Sequence, residues 1–230
     1  MEYKLAHKFL YDKAVDKGYS QLANHIKKVG PLKIKVSKMD FVSHLSKIII
    51  GQQLSVQSAA AIWKRTDKIL KENKYKKENI KLNQKFKDAG LSRQKIEYLN
   101  GIIFNKDLIN ISKKELNRMS AAEYFDFLIQ IKGIGPWSIE MSRIFFIGDP
   151  DVFSILDLGL RNAHLKMFKI DSYKESFYES FRPYRSYMCL FLWRVLEDEN
   201  VTIRTYHLYI RYEFHLKKNY PLKASINNNP

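Results

Sequence analysis

Two short stretches hold residues whose types and spacing could do chemistry. In "IKGIGPWSIE" (131–140), Gly133 and Gly135 stand two positions apart, directly before Pro136 and Trp137, in a chain with only 9 glycines among 230 residues. Glycine permits positive φ and removes side chains that would block close approach to the backbone. Proline suits the first turn of a helix, where its missing N–H costs nothing. Amides left free at such a helix start, beside Ile134 and Gly135, carry the positive end of the dipole and suit a phosphate. The same pattern also serves as plain punctuation between two helices. In "SILDLGL", Asp157 precedes a helical pattern and can cap it. A carboxylate in a cleft can also stabilise a developing cation and orient or deprotonate a water. The two uses are compatible. Asp149 and Asp151, in "GDPD", read as turn-shaping residues. A single cysteine, Cys189, excludes an intramolecular disulfide, a four-cysteine iron–sulfur cluster and any multi-cysteine zinc site. The histidines, His164 included, show no ligand spacing.

Helices must position these residues, since nearly the whole chain carries helical periodicity with short breaks. The pattern predicts helices over 4–14 and 20–28. A further helical run starts at Phe41, Leu45 and Ile48, and another carries Ala59, Ile62, Trp63 and Ile69. The lysine-rich section 71–87 is expected to be a loop. Ser92 is a plausible cap for the next helix. Ser120 followed by Glu123 has the capping-box spacing ahead of another. The "GIGP" turn is followed by a helix over 137–147, a break at "GDPDVF", a helix over 157–168, and one more after Pro183 through Trp193. Strand and helix both stay open for 201–217, and the tail 218–230 is expected to be disordered. The class is mostly α.

Charge narrows the partner. Forty Lys and Arg against 24 Asp and Glu leave a formal net charge of +16. Such an excess favours a polyanion, nucleic acid before an acidic membrane surface. A Lys-rich, AT-biased coding sequence could inflate the lysines, yet it would not explain so few acids. No apolar run approaches the roughly 20 residues of a membrane span, and the N-terminus lacks a signal-peptide core. These features predict a protein of the cell interior.

The stretch "IKGIGPWSIEMSRIFFIGDPDVFSILDLGLRNA" resembles the helix–hairpin–helix plus Gly/Pro/Asp motif of the DNA glycosylase superfamily, in its 3-methyladenine DNA glycosylase II (AlkA/Mag) branch. "KIIIGQQLSVQSAAAIWKR" upstream and "FRPYRSYMCLFLW" downstream agree, in order, over about residues 20–197. The resemblance implies two interlocked helical subdomains with the active-site cleft between them. It divides the chain into N-terminal helices (1–40) packing on the C-terminal subdomain, a central subdomain (41–135) with the wedge loop and first hairpin helix, and a unit (136–217) holding the second hairpin helix and the catalytic aspartate. The extra β domain of some relatives is expected to be absent.

The implied activity is hydrolysis of the N-glycosidic bond of alkylated purines in duplex DNA, in base excision repair. The runner-up is a non-catalytic helix–hairpin–helix protein that binds DNA or damaged DNA. Asp157 falls on the family's catalytic aspartate. Trp137 stands where bifunctional relatives carry a nucleophilic lysine, which implies a monofunctional enzyme that uses water. Trp137, Met141 and Trp193 match base-pocket positions, although Trp193 could equally be a core tryptophan. Gln53, or Leu54 beside it, matches the wedge that fills the gap left by the base, unless this is an ordinary helix-break loop. Lys132, Gly133, Ile134, Gly135 and Ser138 match the DNA-contacting hairpin; Lys132 could also be a solvated charge. Arg185 and Ser186 match a motif that buttresses the pocket. No cofactor is required for the chemistry. Relatives imply one structural monovalent cation, Na+ or K+, on the backbone carbonyls of Ile129, Ile131 and Ile134. The expected partner is double-stranded DNA with damaged bases, and the protein is expected to act as a monomer near the nucleoid or, in a eukaryote, in the nucleus.

Overall fold

The computed structural model describes residues 1–73, 80–169 and 172–197. Its described residues form helices and loops without a strand. Helix α1 (Glu2–Asp16) pairs with α2 (Ser20–Val29), and a loop leads to α3 (Phe41–Gly51) and α4 (Val56–Glu72). Then come α5 (Ile80–Asp88), α6 (Arg93–Ile103), α7 (Lys106–Asn110), α8 (Lys113–Leu116) and α9 (Ala121–Ile129). The "GIGP" turn joins α9 to α10 (Pro136–Ser142), which continues as a π-helical turn over Arg143–Ile147. Helix α11 (Leu158–Phe168), a 3-10 turn (Glu175–Phe181) and α12 (Arg185–Glu197) complete the fold.

Local sequence chemistry sets most helix starts. Ser55 and Ser92 accept the N–H of Ser58 and Lys95, and Ser120 with Glu123 closes a full capping box. The lysine-rich section departs from expectation, because Ile80–Asp88 is a helix and not a loop. Leu82 and Phe86, one turn apart, are buried, while Lys81, Lys85 and Lys87 stay exposed. Two anchors at helical spacing outweigh a polar composition, and lysine is itself a good helix former. Residues 201–217 and the tail lie outside the described residues.

Two hydrophobic clusters hold the fold. The first joins α1 and α2 to α11, the 3-10 turn and α12. The second joins α3, α5, α6 and the helices up to α9. Helix α10 and its π-helical continuation feed both. Ile139 and Phe146 enter the second cluster, Met141 and Ile144 the first. The site lies along this seam. No helix among the described residues is long and apolar enough to cross a membrane.

Candidate active site

Asp157 ends a four-residue turn that begins at Ser154, its amide donating to the Ser154 carbonyl at 3.0 Å. It is also the N-cap of α11, with Oδ1 accepting the Leu160 N–H at 2.8 Å. Trp193 Nε1 donates to the same oxygen at 3.0 Å. Trp137 Nε1 donates to Oδ2 at 2.8 Å. Three N–H groups thus converge on one half-buried carboxylate, and the cap and the site are the same residue. A Cβ on Gly159 would lie 3.0 Å from Asp157 Oδ1 and 3.3 Å from Trp193 Cδ1. The bare glycine is what lets the indole edge reach the carboxylate. Phe145, from the π-helical turn, stacks on Trp193 with centroids 5.9 Å apart. The two tryptophans, expected as ring-face walls, therefore also present their N–H edges to Asp157. Met141 is buried in the first cluster, one turn beyond Trp137.

The hairpin differs in detail from expectation. Gly133 has φ +91, and a Cβ there would sit 2.4 Å from the Tyr98 ring. Gly135 is extended, with φ −117 and ψ 177, so positive φ is needed at only one of the two glycines. The Ile134 amide donates to Ile131 O at 3.0 Å inside the turn, so it is not one of the free amides of the helix start beside it. The Ser138 side chain is buried and accepts from Gln52 Nε2 at 2.9 Å. Helix α10 has no side-chain N-cap, so its first-turn amides remain the hairpin's donors. Lys132 forms an exposed ion pair with Glu97 at 2.5 Å.

The loop after α3 is tied to this hairpin. Gln52 Nε2 also donates to Gly133 O at 3.1 Å. Lys95 Nζ donates to Ile50 O at 2.6 Å and Gln52 O at 2.7 Å, and burial pushes its amine down to about 8. Gln53 is exposed with φ +59, the left-handed region, and Leu54 is half-buried beside it.

Behind Asp157, α10 supplies a group that sequence reasoning missed. Glu140 Oε2 accepts a hydrogen bond from Ser154 Oγ at 2.6 Å. Burial, foremost, pushes the Glu140 carboxyl up to about 7. Its only advance signal was its place three residues after Trp137. Nothing in the sequence signals the ties made by Gln52 and Lys95. Arg185, 5% exposed, reaches Asp151 Oδ1 at 2.8 Å and Glu179 Oε1 at 2.9 Å. Ser186 Oγ accepts the Val152 N–H at 2.8 Å. Both thus fasten the segment that leads into the Ser154 turn. Asp149 accepts the Asp151 N–H, as its turn-shaping role requires. Cys189 is fully buried and burial raises its thiol pKa, which leaves it unreactive. Among the described residues, no group of three or more His, Cys, Asp or Glu could hold a metal ion.

No family model matches the chain. Over 66% of its length it is 32% identical to YfjP of Bacillus subtilis, a protein assigned provisionally as a DNA-3-methyladenine glycosylase, and it spans 58% of that protein. It is 28% identical to DNA-3-methyladenine glycosylase 1 of Schizosaccharomyces pombe, covering 69% of this chain and 74% of that one. The fold matches the crystal structure of a DNA-3-methyladenine glycosidase from Bacillus halodurans with a TM-score of 0.64 at 27% identity, covering 80% of this chain and 88% of the other. These likenesses set the chain beside the 3-methyladenine DNA glycosylases (AlkA/Mag branch) of the helix–hairpin–helix superfamily, whose fold it shares. The same fold occurs in S. pombe Mag1 in complex with abasic DNA, at TM-score 0.66 and 24% identity. The position two after Gly135 holds a tryptophan, and its polar edge is engaged by Asp157.

Proposed function

We propose that the protein is a monofunctional DNA glycosylase that hydrolyses the N-glycosidic bond of alkylated purines, of the 3-methyladenine and 7-methylguanine type, in duplex DNA. The observation that carries this reading is the Asp157 carboxylate held between the N–H edges of Trp137 and Trp193. The target base must first leave the stack. Gln53, exposed and in the left-handed region, supports its assignment as the wedge that fills the gap, with Leu54 beside it. An N-alkylated purine carries positive charge, and an indole face attracts a cation by about 0.5–2 kcal/mol. When the C1′–N bond breaks, the electron pair leaves on the purine, which departs neutral, so no strong general acid is needed.

The sugar left behind is oxocarbenium-like, and the Asp157 carboxylate stabilises its charge. A water attacks C1′, and its proton passes to Asp157 and then to solvent. Trp137 has no amine to attack C1′, so the product is an abasic site on an intact strand. Phosphates would rest on the hairpin backbone, at the first-turn amides of α10. A monovalent cation would be held by the carbonyls of Ile129, Ile131 and Ile134. Ile131 O also accepts the Ile134 N–H but keeps a second lone pair, and carbonyl oxygens are the donors a hard cation prefers. Such an ion would supply phosphate neutralisation, not chemistry. The protein would work as a monomer wherever the cell keeps its DNA.

Released base from methylated duplex, read by chromatography, tests the proposal. Wild type is expected to release it and Asp157→Asn is not. Release that persists in Asp157→Asn overturns the mechanism. Wild type that binds duplex but releases nothing points to a non-catalytic DNA-binding protein. Strand breaks formed without alkali would contradict the monofunctional assignment.

A further inference from the structure

Helix α10 meets the Asp157 turn at two points with matching spacing. Trp137 and Glu140 are three residues apart on the helix; Ser154 and Asp157 are three residues apart on the turn. Trp137 Nε1 donates to Asp157 Oδ2 at 2.8 Å, and Ser154 Oγ donates to Glu140 Oε2 at 2.6 Å. Ser154 is fully buried, and its carbonyl accepts the Asp157 amide. A shift at Ser154 therefore reaches the Asp157 backbone through one turn.

We propose that Glu140 is a positioning residue for Asp157: by gripping Ser154 it fixes the start of the turn whose end Trp137 and Trp193 hold. A half-buried carboxyl is an expensive choice for mere packing, since an apolar residue of similar volume would fill the space without desolvating a charge. The cost is visible in a carboxyl pushed up by burial, with the charges of Glu175 and Asp157 adding to it and Arg143 and the Ser154 hydroxyl opposing it. Groups that must sit within about 0.5 Å of a productive geometry need such support from behind. The catalytic side of this inference rests on the glycosylase reading above; its geometric side does not.

Two measurements separate the two. Uniformly 15N-labelled protein shows the indole N–H signals of Trp63, Trp137 and Trp193. In Glu140→Ala the signals of Trp137 and Trp193 are expected to move, as their carboxylate acceptor shifts, while that of Trp63 stays. Single-turnover base release is expected to fall roughly ten- to a hundredfold, with unchanged affinity for a duplex carrying an abasic analogue. Glu140→Gln, whose amide oxygen still accepts from Ser154, is expected to recover most of that rate. Ser154→Ala reproduces the loss and adds nothing in the Glu140→Ala background. Unmoved indole signals, a loss that Gln does not recover, or additive losses overturn the proposal. Should Glu140→Ala fail to fold, the Gln and Ser154→Ala variants decide alone. Wild type that releases no base sinks the glycosylase reading only, and the indole signals still decide the geometry.

Discussion

Asp157 is a helix cap and a candidate catalytic carboxylate because both uses want the same thing, a carboxylate at the mouth of a helix with N–H donors around it. The cap came from local sequence, as Asp before an apolar helical run. The indole donors did not, since they arrive from 20 and 36 residues away. Trp193→Phe keeps an aromatic ring beside Phe145, though a smaller one, and removes the N–H. One hydrogen bond to a charged group is worth about 1.5–3 kcal/mol, so single-turnover release is expected to drop about tenfold or more, with little change in DNA affinity. Gly159→Ala acts on the same contact by crowding it, the new Cβ lying 3.0 Å from Oδ1. A smaller loss of release is expected there, with a thermal midpoint within a few degrees of wild type. A full rate in Trp193→Phe would remove the indole edge from the mechanism.

At the scale of the element, the hairpin is held from outside as much as by its own turn. Gly133 needs positive φ and also room for Tyr98, so Gly133→Ala incurs backbone strain of roughly 1–2 kcal/mol plus a collision at 2.4 Å. The thermal midpoint is expected to fall by about 4 °C or more, and duplex affinity with it; a differential scanning measurement and a binding titration check both. The Gly-x-Gly-Pro spacing was legible in advance because it is local turn chemistry. Its link to the loop after α3 was not, since Gln52 reaches Gly133 O across 81 residues. Helix α5 makes the opposite point. Its lysines masked a two-residue apolar face that only the neighbouring helices reveal as buried.

For the whole molecule, one half-buried and one buried titratable group pull stability in opposite directions. Glu140 lies at about 7 against an ordinary 4.5. Between those values the folded protein keeps a proton that the unfolded chain has released, so stability falls as pH rises from 4.5 to 7. His44 is pushed down to about 4 from 6.5 by burial, with Lys47 and Lys113 adding to it. Below 6.5 the unfolded chain takes up a proton the folded one refuses, so this group's contribution is lost as pH falls from 6.5 to 4. The two oppose each other over the shared window. Glu140→Gln removes the first alone, so the variant is expected to exceed wild type in stability at pH 8 by up to about 3 kcal/mol, with the gain vanishing near pH 4.5. Denaturant titrations across that range test it. The net charge of +16 predicts duplex binding that weakens steeply between 50 and 200 mM salt, log affinity falling by about 0.9 per tenfold salt for each phosphate contacted.

The sequence by itself determined what depends on neighbours a few residues apart. The helical class, the caps at Ser92, Ser120 and Asp157, the glycine turn before Pro136 and the tryptophan in place of a lysine could all be read from spacing, residue type or family likeness. The tertiary structure alone decided which edges of those residues meet. It brought Trp193 to Asp157, Gln52 to the hairpin and Glu140 to Ser154. Those contacts depend on how two hydrophobic clusters pack against a shared α10, and no local propensity encodes the path of a chain between them.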